Sequence, residues 1–255
     1  WVWHSGKDRA KGPHRKWQIN QIILRIAGRR FGSTMLRSIP VGRKGYVRVE
    51  TNMGVTGWGE INNVQTDIAC TLAESLGQLI VGENPTRIAH HWQRLFRAHR
   101  NLRGGGLIVH TISAIDMALW DILGKSLGEP VWQLLGGTRH ARMPAYASGG
   151  WAPVDRIADE LHGFIERGNF KAVKMRVGSG DGTLAHSIKR VHAARAGLGE
   201  DIAIMCDAHG TFDVSEAKRF CRRVADCDIG WLEEPVTADD KAGLAEVRAS
   251  TDIPI

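Results

Sequence analysis

Residues 170–178 read FKAVKMRVG, a run that has the composition of a buried β-strand and yet carries three long cations. Because side chains alternate across a strand, the apolar residues at 173, 175 and 177 share one face, and Lys174 and Arg176 share the other. The apolar face suits packing against helices. The cationic face must then point to the opposite side of the sheet, where an unpaired charge is very costly. The stretch therefore predicts that anionic side chains lie near Lys174 and Arg176.

The next two strand-like segments supply such anions. Residues 204–210 read IMCDAHG, and alternation places Asp207 and His209 on one face at the end of the strand. Residues 230–235 read GWLEEP, where Glu233 falls on that same face, Glu234 falls on the other, and a proline stops the strand. Successive strands thus end in two cations, an aspartate with a histidine, and a glutamate.

The rhythm of the chain after residue 142 is a regular alternation of strands and helices. We predict strands at 143–148, 171–177, 201–207 and 229–233, helices at 153–168, 182–196, 215–225 and 239–249, and the opening of a further strand at 253–255. Alternation of this kind is typical of a parallel sheet covered by helices. The repeat length suits a (β/α) barrel, of which only half is present, so the segment is either part of a longer barrel or a smaller open sheet.

The first part of the chain has a different order. Strand-like runs at 18–26, 46–51 and 55–60 precede helical patterns at 64–79, 85–99 and 107–123, and Asn52-Met53-Gly54 supplies a turn for a hairpin. The clearest helix carries one apolar stripe, formed by Ile108, Ile112, Ile115, Leu119 and Ile122. The glycines between residues 27 and 46 suit either a mobile lid that helps to choose the substrate or flexibility without function. We expect two domains, 17–141 and 142–255.

Composition and charge restrict the class of protein. The chain has 255 residues, of which 43% are hydrophobic and 24% are charged, and no uninterrupted apolar run approaches ~18 residues. The four cysteines form no C-x-x-C pair, which indicates reduced thiols in the cytoplasm. Residues 1–50 hold 12 Lys or Arg against 2 acids, but they lack the aromatic and basic pattern of a nucleic-acid reader. We therefore expect neither a nucleic-acid partner nor a membrane.

Two carboxylates on neighbouring strands, flanked by cations, are the donor set of a hard cation such as magnesium. A buried cluster of ion pairs without a metal has the same residues, and the spacing is compatible with both. His209 likewise fits either a satisfied polar residue or a catalytic group two positions beyond a candidate metal ligand.

These motifs, taken together, carry a family resemblance. The order of VTGWGE (55–60), AIDMALWDILGKSLGEPVWQLLGG (114–137), KAVKMRVG (171–178), MCDAHG (205–210) and WLEEPV (231–236) resembles the enolase superfamily, in its mandelate racemase and muconate-lactonizing enzyme branch. The resemblance runs from about residue 17 to residue 255. It implies an α+β capping domain followed by the first half of a TIM-type (β/α)7β barrel, with the third metal ligand and a later His-Asp pair beyond residue 255.

The resemblance also implies a chemistry. Such enzymes remove a proton next to a carboxylate, while magnesium and a lysine stabilise the enediolate. It implies Asp207 and Glu233 as metal ligands and Lys174 as the electrostatic catalyst. Arg176 stands where many relatives carry a second lysine as a base, and a guanidinium is a poor base, so it is expected to hold substrate or support a ligand.

His209 resembles the histidine that delivers a proton to the departing hydroxyl group in some acid-sugar dehydratases of this branch. We therefore expect Mg²⁺-dependent elimination of water from a sugar acid such as an aldonate or aldarate, with a racemase, epimerase or cycloisomerase of the same family, or a non-catalytic homologue, as alternatives. The partner is expected to be a small carboxylate, the complete protein is expected to be a homo-oligomer, and the 255-residue chain alone is expected to be inactive.

Overall fold

The computed structural model describes residues 31–99, 101 and 105–255. The chain divides into two compact units, one ending at Arg139 and the other comprising His140–Ile255. The domain limits drawn from the sequence, 17–141 and 142–255, remain a proposal, and residue 17 and the strand proposed at 18–26 lie outside the described residues.

The first unit contains a three-stranded antiparallel sheet. Its strands are β1 (Ser33–Val41), β2 (Lys44–Thr51) and β3 (Thr56–Ile61), in the order β1-β2-β3. The predicted hairpin is confirmed, because β2 pairs antiparallel with β3 across the turn at 52–54. In its described part, the segment proposed as a mobile lid between residues 27 and 46 contains β1 and the start of β2, which pair antiparallel; its mobility stays a prediction.

Helices cover one side of this sheet. They are α1 (Thr66–Gly77), α2 (Ile88–Ala98), α3 (Leu107–Leu127) and the single turn α4 (Val131–Leu134). The predicted stripe of α3 is confirmed, since all five of its members are buried in the core of this unit. The helix does not end at Gly124 as the sequence suggested but continues to a left-handed cap at Gly128.

Among the described residues, α3 is the one helix long and apolar enough to cross a membrane by length and composition alone. Half of its most apolar window is buried inside the fold, where Ile112, Ile115 and Leu119 pack against the sheet and the other helices. This is the burial of a core helix.

The second unit is a four-stranded parallel sheet with helices between its strands. Strands β4 (Ala147–Gly149), β5 (Ala172–Arg176), β6 (Ala203–Asp207) and β7 (Ile229–Glu233) lie in the order β4-β5-β6-β7. Helices α5 (Ile157–Gly168), α6 (Leu184–Leu198), α7 (Val214–Arg223) and α8 (Lys241–Ala249) follow them. This is the architecture of the first half of a β/α barrel, with strands in sequence order and each followed by a helix.

The outer face of the parallel sheet forms the core of this unit. Val173, Met175 and Val177 are at most 5% exposed and pack among apolar residues of the neighbouring strands and helices. The four cysteines of the chain are all buried and free. The strand proposed to open at residue 253 is not formed there, although the Leu232 amide donates to the Pro254 carbonyl at 2.8 Å.

Candidate active site

Three neighbouring strands bring the charged residues together at their C-terminal ends, here called the rim. The parallel register pairs Arg176 with Asp207 and Asp207 with Glu233. Lys174 lies two residues before Arg176 on the same face of β5. Its Nζ is 2.6 Å from Glu233 Oε2 and 3.5 Å from Asp207 Oδ2. The anions that the cationic face required are therefore present, and they come from the two strands next along the sheet.

Arg176 links the aspartate to the histidine. Its Nη1 contacts Asp207 Oδ2 and lies 3.2 Å from His209 Nδ1. Because a guanidinium can only donate, Nδ1 accepts this bond, and the ring proton of the neutral imidazole is placed on Nε2. The His209 backbone has a φ of 52° and its amide donates to Asp207 Oδ1 at 2.9 Å. The side chain of His209 is 70% exposed, so the ring stands open at the rim.

The protonation of Lys174 and Glu233 follows from their contact. Burial would lower the pKa of the Lys174 ammonium, but the hydrogen bond to Glu233 and the charges of Glu233 and Asp207 outweigh it and raise the pKa. Burial would likewise raise the pKa of Glu233, yet the hydrogen bonds from Lys174 and Trp231 and the nearby cations lower it. Lys174 is thus held as a cation and Glu233 as an anion.

The position predicted for the Glu234 side chain is wrong. Alternation put it on the face opposite Glu233, but its Oε2 lies 3.6 Å from His209 Nδ1 at the rim. The reason is that β7 ends at Glu233 and the backbone of Glu234 has a φ of 43°, so strand alternation no longer applies. In the sequence, the proline at 235 marked the end of strand pairing, because proline cannot donate to the ladder, but it did not indicate the positive φ of Glu234.

Three aromatic side chains at the rim were not singled out as site residues from the sequence. The Lys174 ammonium lies 5.5 Å from the centre of the Tyr146 ring, and the Arg176 guanidinium lies 5.5 Å from the centre of the Trp151 ring. Trp231 packs edge-on against Tyr146 and donates to Glu233 Oε2 at 3.2 Å. In such contacts the negative face of the ring attracts the cation. Two of these residues flank the short strand β4, which gave a weak sequence signal.

The donor set at the rim fits magnesium. Asp207 and Glu233 contribute carboxylate oxygens, which hard divalent cations prefer, and Lys174 contacts both. A second grouping, Asp207, His209 and Glu234, has one possible ligand atom from each residue within 4.8 Å of the others. It includes an imidazole nitrogen, which magnesium prefers less than oxygen. The all-oxygen pair is the better match in donor chemistry.

Two family models match the chain. Residues 38–136 match the mandelate racemase/muconate lactonizing enzyme N-terminal domain, and residues 156–255 match the enolase C-terminal domain-like family. Among characterised relatives, a D-galactonate dehydratase from Ralstonia nicotianae is 35% identical over 220 residues, and a D-galactarolactone cycloisomerase from Agrobacterium fabrum is 34% identical over 213. Each alignment covers 82% of this chain but only 56% and 55% of the relative, respectively.

One solved structure is similar to this chain in both fold and sequence. It is a crystal structure of an enolase from Bradyrhizobium complexed with magnesium and mandelic acid, 30% identical, with a TM-score of 0.78. The superposition covers 89% of this chain and 67% of that one. The chain thus spans about half the length of the characterised relatives it matches and two thirds of this neighbour.

Proposed function

The chain belongs to the mandelate racemase/muconate lactonizing enzyme family of the enolase superfamily, and we propose that its protein eliminates water from a sugar acid with the help of magnesium. The substrate class is a small polyhydroxy carboxylate such as an aldonate or aldarate. The proposal concerns the complete protein, because this chain spans only about half the length of these relatives.

Asp207 and Glu233 are the residues proposed to hold the magnesium ion. Magnesium bound there would supply positive charge next to the substrate carboxylate and make the neighbouring C–H bond more acidic. Lys174 stays protonated beside these carboxylates and is aimed at the same region, so its charge stabilises the negative charge that develops as the proton leaves.

Elimination needs a proton donor for the departing hydroxyl group. Loss of the C2 proton leaves an electron pair that forms the C2=C3 double bond as the C3–O bond breaks. The hydroxyl group takes a proton and departs as water, and the resulting enol becomes a 2-keto-3-deoxy acid. His209 is proposed to deliver that proton from Nε2 in its imidazolium form, in which Nδ1 also carries a proton and the hydrogen bond from Arg176 is released. The C2 proton goes to a base outside the described strands or to His209 itself. In the second case the ring has its proton on Nδ1 and takes the C2 proton on Nε2, and the imidazolium so formed is the acid that protonates the departing hydroxyl group.

The single observation that carries this reading is the position of His209. Arg176 holds both the imidazole of His209 and the carboxylate of Asp207, so a proton donor stands directly beside a proposed metal ligand. An arginine at this position cannot serve as the second base that racemisation requires. The identity with a D-galactonate dehydratase supports the same reaction class.

The test is to incubate the complete gene product with a panel of aldonates and aldarates and Mg²⁺, and to detect 2-keto-3-deoxy products. We expect product from at least one acid, dependence on Mg²⁺, and a loss of about 100-fold or more in His209→Asn, as is typical of a general acid. Proton exchange at C2 in deuterated water separates the two roles. If His209→Asn keeps the exchange but forms no product, His209 is the acid alone. Full activity in this variant would remove it from the mechanism.

Isomerisation or cycloisomerisation is a second candidate reaction. Its support is the 34% sequence identity to a D-galactarolactone cycloisomerase. Isomerisation or cycloisomerisation begins with the same proton abstraction and needs no loss of water. In the same assay it would give a product that has not lost water, and in deuterated solvent that product would carry deuterium. A complete protein that binds Mg²⁺ but shows neither exchange nor product would support a non-catalytic homologue.

The wider setting remains part of the proposal. We propose a cytoplasmic homo-oligomer that has no nucleic-acid or membrane partner, and the four free, buried cysteines support a reducing compartment. Retention on DNA at physiological salt, falling steeply with added salt, is the result that would contradict the absence of a nucleic-acid partner.

A further inference from the structure

Helix α6 carries two arginines whose side chains reach opposite ends of the parallel strands. Arg195 donates to the carbonyls of Ile202, Cys227 and Asp228, which lie just before β6 and β7 begin. Arg190, five residues earlier, donates instead to carbonyls beside the ends of β4 and β5. The two side chains are chemically identical and have similar numbers of partners, but only Arg190 works at the rim where the candidate site lies.

Arg190 is almost completely enclosed and fully engaged. It is 2% exposed, and its guanidinium donates to Gly150 O at 2.8 Å, Ala152 O at 2.9 Å and Arg176 O at 2.8 Å. Asp181 Oδ1 lies 2.6 Å from Nη1 and balances the buried charge. A planar fork with five donors is the side chain that can hold three carbonyls and a carboxylate at once.

Two further residues complete this arrangement. Ser187 donates to Asp181 Oδ2 at 2.5 Å and accepts from the Gly178 amide at 3.0 Å. Gly178 has a φ of 95°, and a Cβ there would lie 2.1 Å from Thr211 Oγ1 in the loop after β6. We call Asp181, Ser187 and Arg190 the rim brace. It connects the loops that follow β4 and β5 to α6, and the loop after β5 is packed in turn on the loop after β6.

The rim brace acts on two residues that face the candidate site. It holds the carbonyl of Arg176, whose side chain reaches Asp207 and His209. It also holds the carbonyls on either side of Trp151, while Glu160 Oε2 accepts from the Trp151 amide at 2.9 Å. Hydrogen bonds therefore fix the backbone before, at and after Trp151. The ring of Trp151 lies beside the Arg176 guanidinium.

We propose that Arg190, supported by Asp181 and Ser187, is a positioning residue that sets the place of Arg176 and Trp151 at the rim. This inference rests on the proposed function, in which Arg176 serves the reacting groups. It adds that the site depends on a buried arginine outside the set of residues that meet substrate or metal. A shift of the Arg176 backbone would move its guanidinium away from His209 and Asp207, and small displacements at such sites reduce rates strongly.

The matched experiment compares Arg190→Lys with Arg195→Lys. Lysine keeps the positive charge next to Asp181 but cannot hold three carbonyls in one plane. Both variants lose a fork of similar size on the same helix, but Arg190 is buried and Arg195 is partly exposed, so a larger fall in melting temperature is expected for Arg190→Lys, and kcat is compared at a temperature where both variants are folded. In the complete protein, we expect kcat to fall about tenfold in Arg190→Lys with a smaller change in KM, and both constants to stay within about twofold in Arg195→Lys.

A second readout needs no activity. The chain is labelled with 5-fluorotryptophan, and the ¹⁹F resonance of Trp151 is assigned by its loss in Trp151→Phe. We expect that resonance to shift or broaden in Arg190→Lys and to stay unchanged in Arg195→Lys. Asp181→Asn, which keeps an acceptor for Arg190, should move it in the same direction by a smaller amount and covers the case in which Arg190→Lys does not fold.

The outcomes separate the two proposals. If both lysine variants lower kcat equally, or if Arg190→Lys leaves kcat and the Trp151 resonance as in the parent protein, the rim brace is only a stabilising element and the inference is wrong. If the parent protein dehydrates no sugar acid, the proposed function fails, and the comparison of the Trp151 resonance still decides whether Arg190 positions the rim.

Discussion

At the scale of the residue, the burial of His91 makes the stability of the first unit depend on pH. It is fully buried in the first unit, its Nε2 donates to Asn84 O at 2.7 Å, and its Nδ1 has no hydrogen-bond partner among the described residues. Burial lowers the pKa of this imidazole below its usual 6.5. Protonation therefore favours the unfolded chain in the interval between the two pKa values.

The expected result is a fall in the free energy of unfolding as the pH drops below about 6.5, by at most about 1.4 kcal/mol per pH unit from this group. Above that pH, the contribution is fully present. His91→Gln, which can still donate to Asn84 O, should flatten the dependence in urea titrations at pH 7.5, 6.5 and 5.5. His110→Gln, an exposed histidine of α3, should leave it unchanged. An equal slope in His91→Gln would contradict this assignment.

The site residues themselves were predictable from the sequence to the extent that strand alternation held. Lys174, Asp207 and Glu233 lie within β5, β6 and β7, and the structure brings their charged groups together as the pattern required. Glu234 and Trp151 lie outside those strands, where the direction of a side chain depends on loop geometry rather than on a period of two. Their places could be known only once the backbone of the loops was known.

At the scale of the element, the packing of β3 against α3 depends on two glycines. A Cβ at Gly57 would lie 2.0 Å from the Ala118 carbonyl oxygen, and one at Gly59 would lie 1.8 Å from that of Ala114. The helix backbone is thus in direct contact with the strand, and no rotamer change can make room for a methyl group.

We expect Gly59→Ala to lower the free energy of unfolding by roughly 3 kcal/mol or more, since overpacking against backbone forces the element to move. The matched variant is Gly230→Ala in β7, where the nearest atom to a Cβ is Met205 Cγ at 3.5 Å, an ordinary contact. It should change stability by less than about 1 kcal/mol. Denaturant unfolding of the two variants measures both values. Similar losses in both would mean that the close approach of β3 to α3 is not what Gly59 provides.

Helices and strands were predicted best where apolar residues recur at a clear helical period. They were predicted worst where a strand forms because of its pairing with a neighbouring strand. The apolar stripe of α3 fixed that helix, because five buried residues at helical spacing leave no other solution. Strand β1 was not predicted, because the glycines of this segment favoured a loop and Pro40 interrupts the strand. Proline is tolerated in an outer strand, and among the described strands β1 lies at the end of its sheet, where it pairs with β2.

At the scale of the whole molecule, the two units have separate cores. The apolar cluster of the first unit contains Ile115, and that of the second contains Ile204; both residues are fully buried, and the two clusters have no member in common. Each core closes over elements from one part of the chain. The loss of a buried side chain in one unit should therefore weaken that unit and leave the amides of the other protected.

Hydrogen exchange measured by mass spectrometry tests this separation directly. Ile115→Ala should destabilise its unit by about 2–5 kcal/mol and speed exchange in β2, β3 and α3, with β5–β7 unchanged, and Ile204→Ala should do the reverse. Because each variant is the control for the other, a general effect of mutation is excluded by the crossed pattern. Faster exchange across both units from either substitution would show that they unfold together. In that case a change far from the rim could alter the candidate site through global stability alone, and kinetic variants would have to be compared at equal stability.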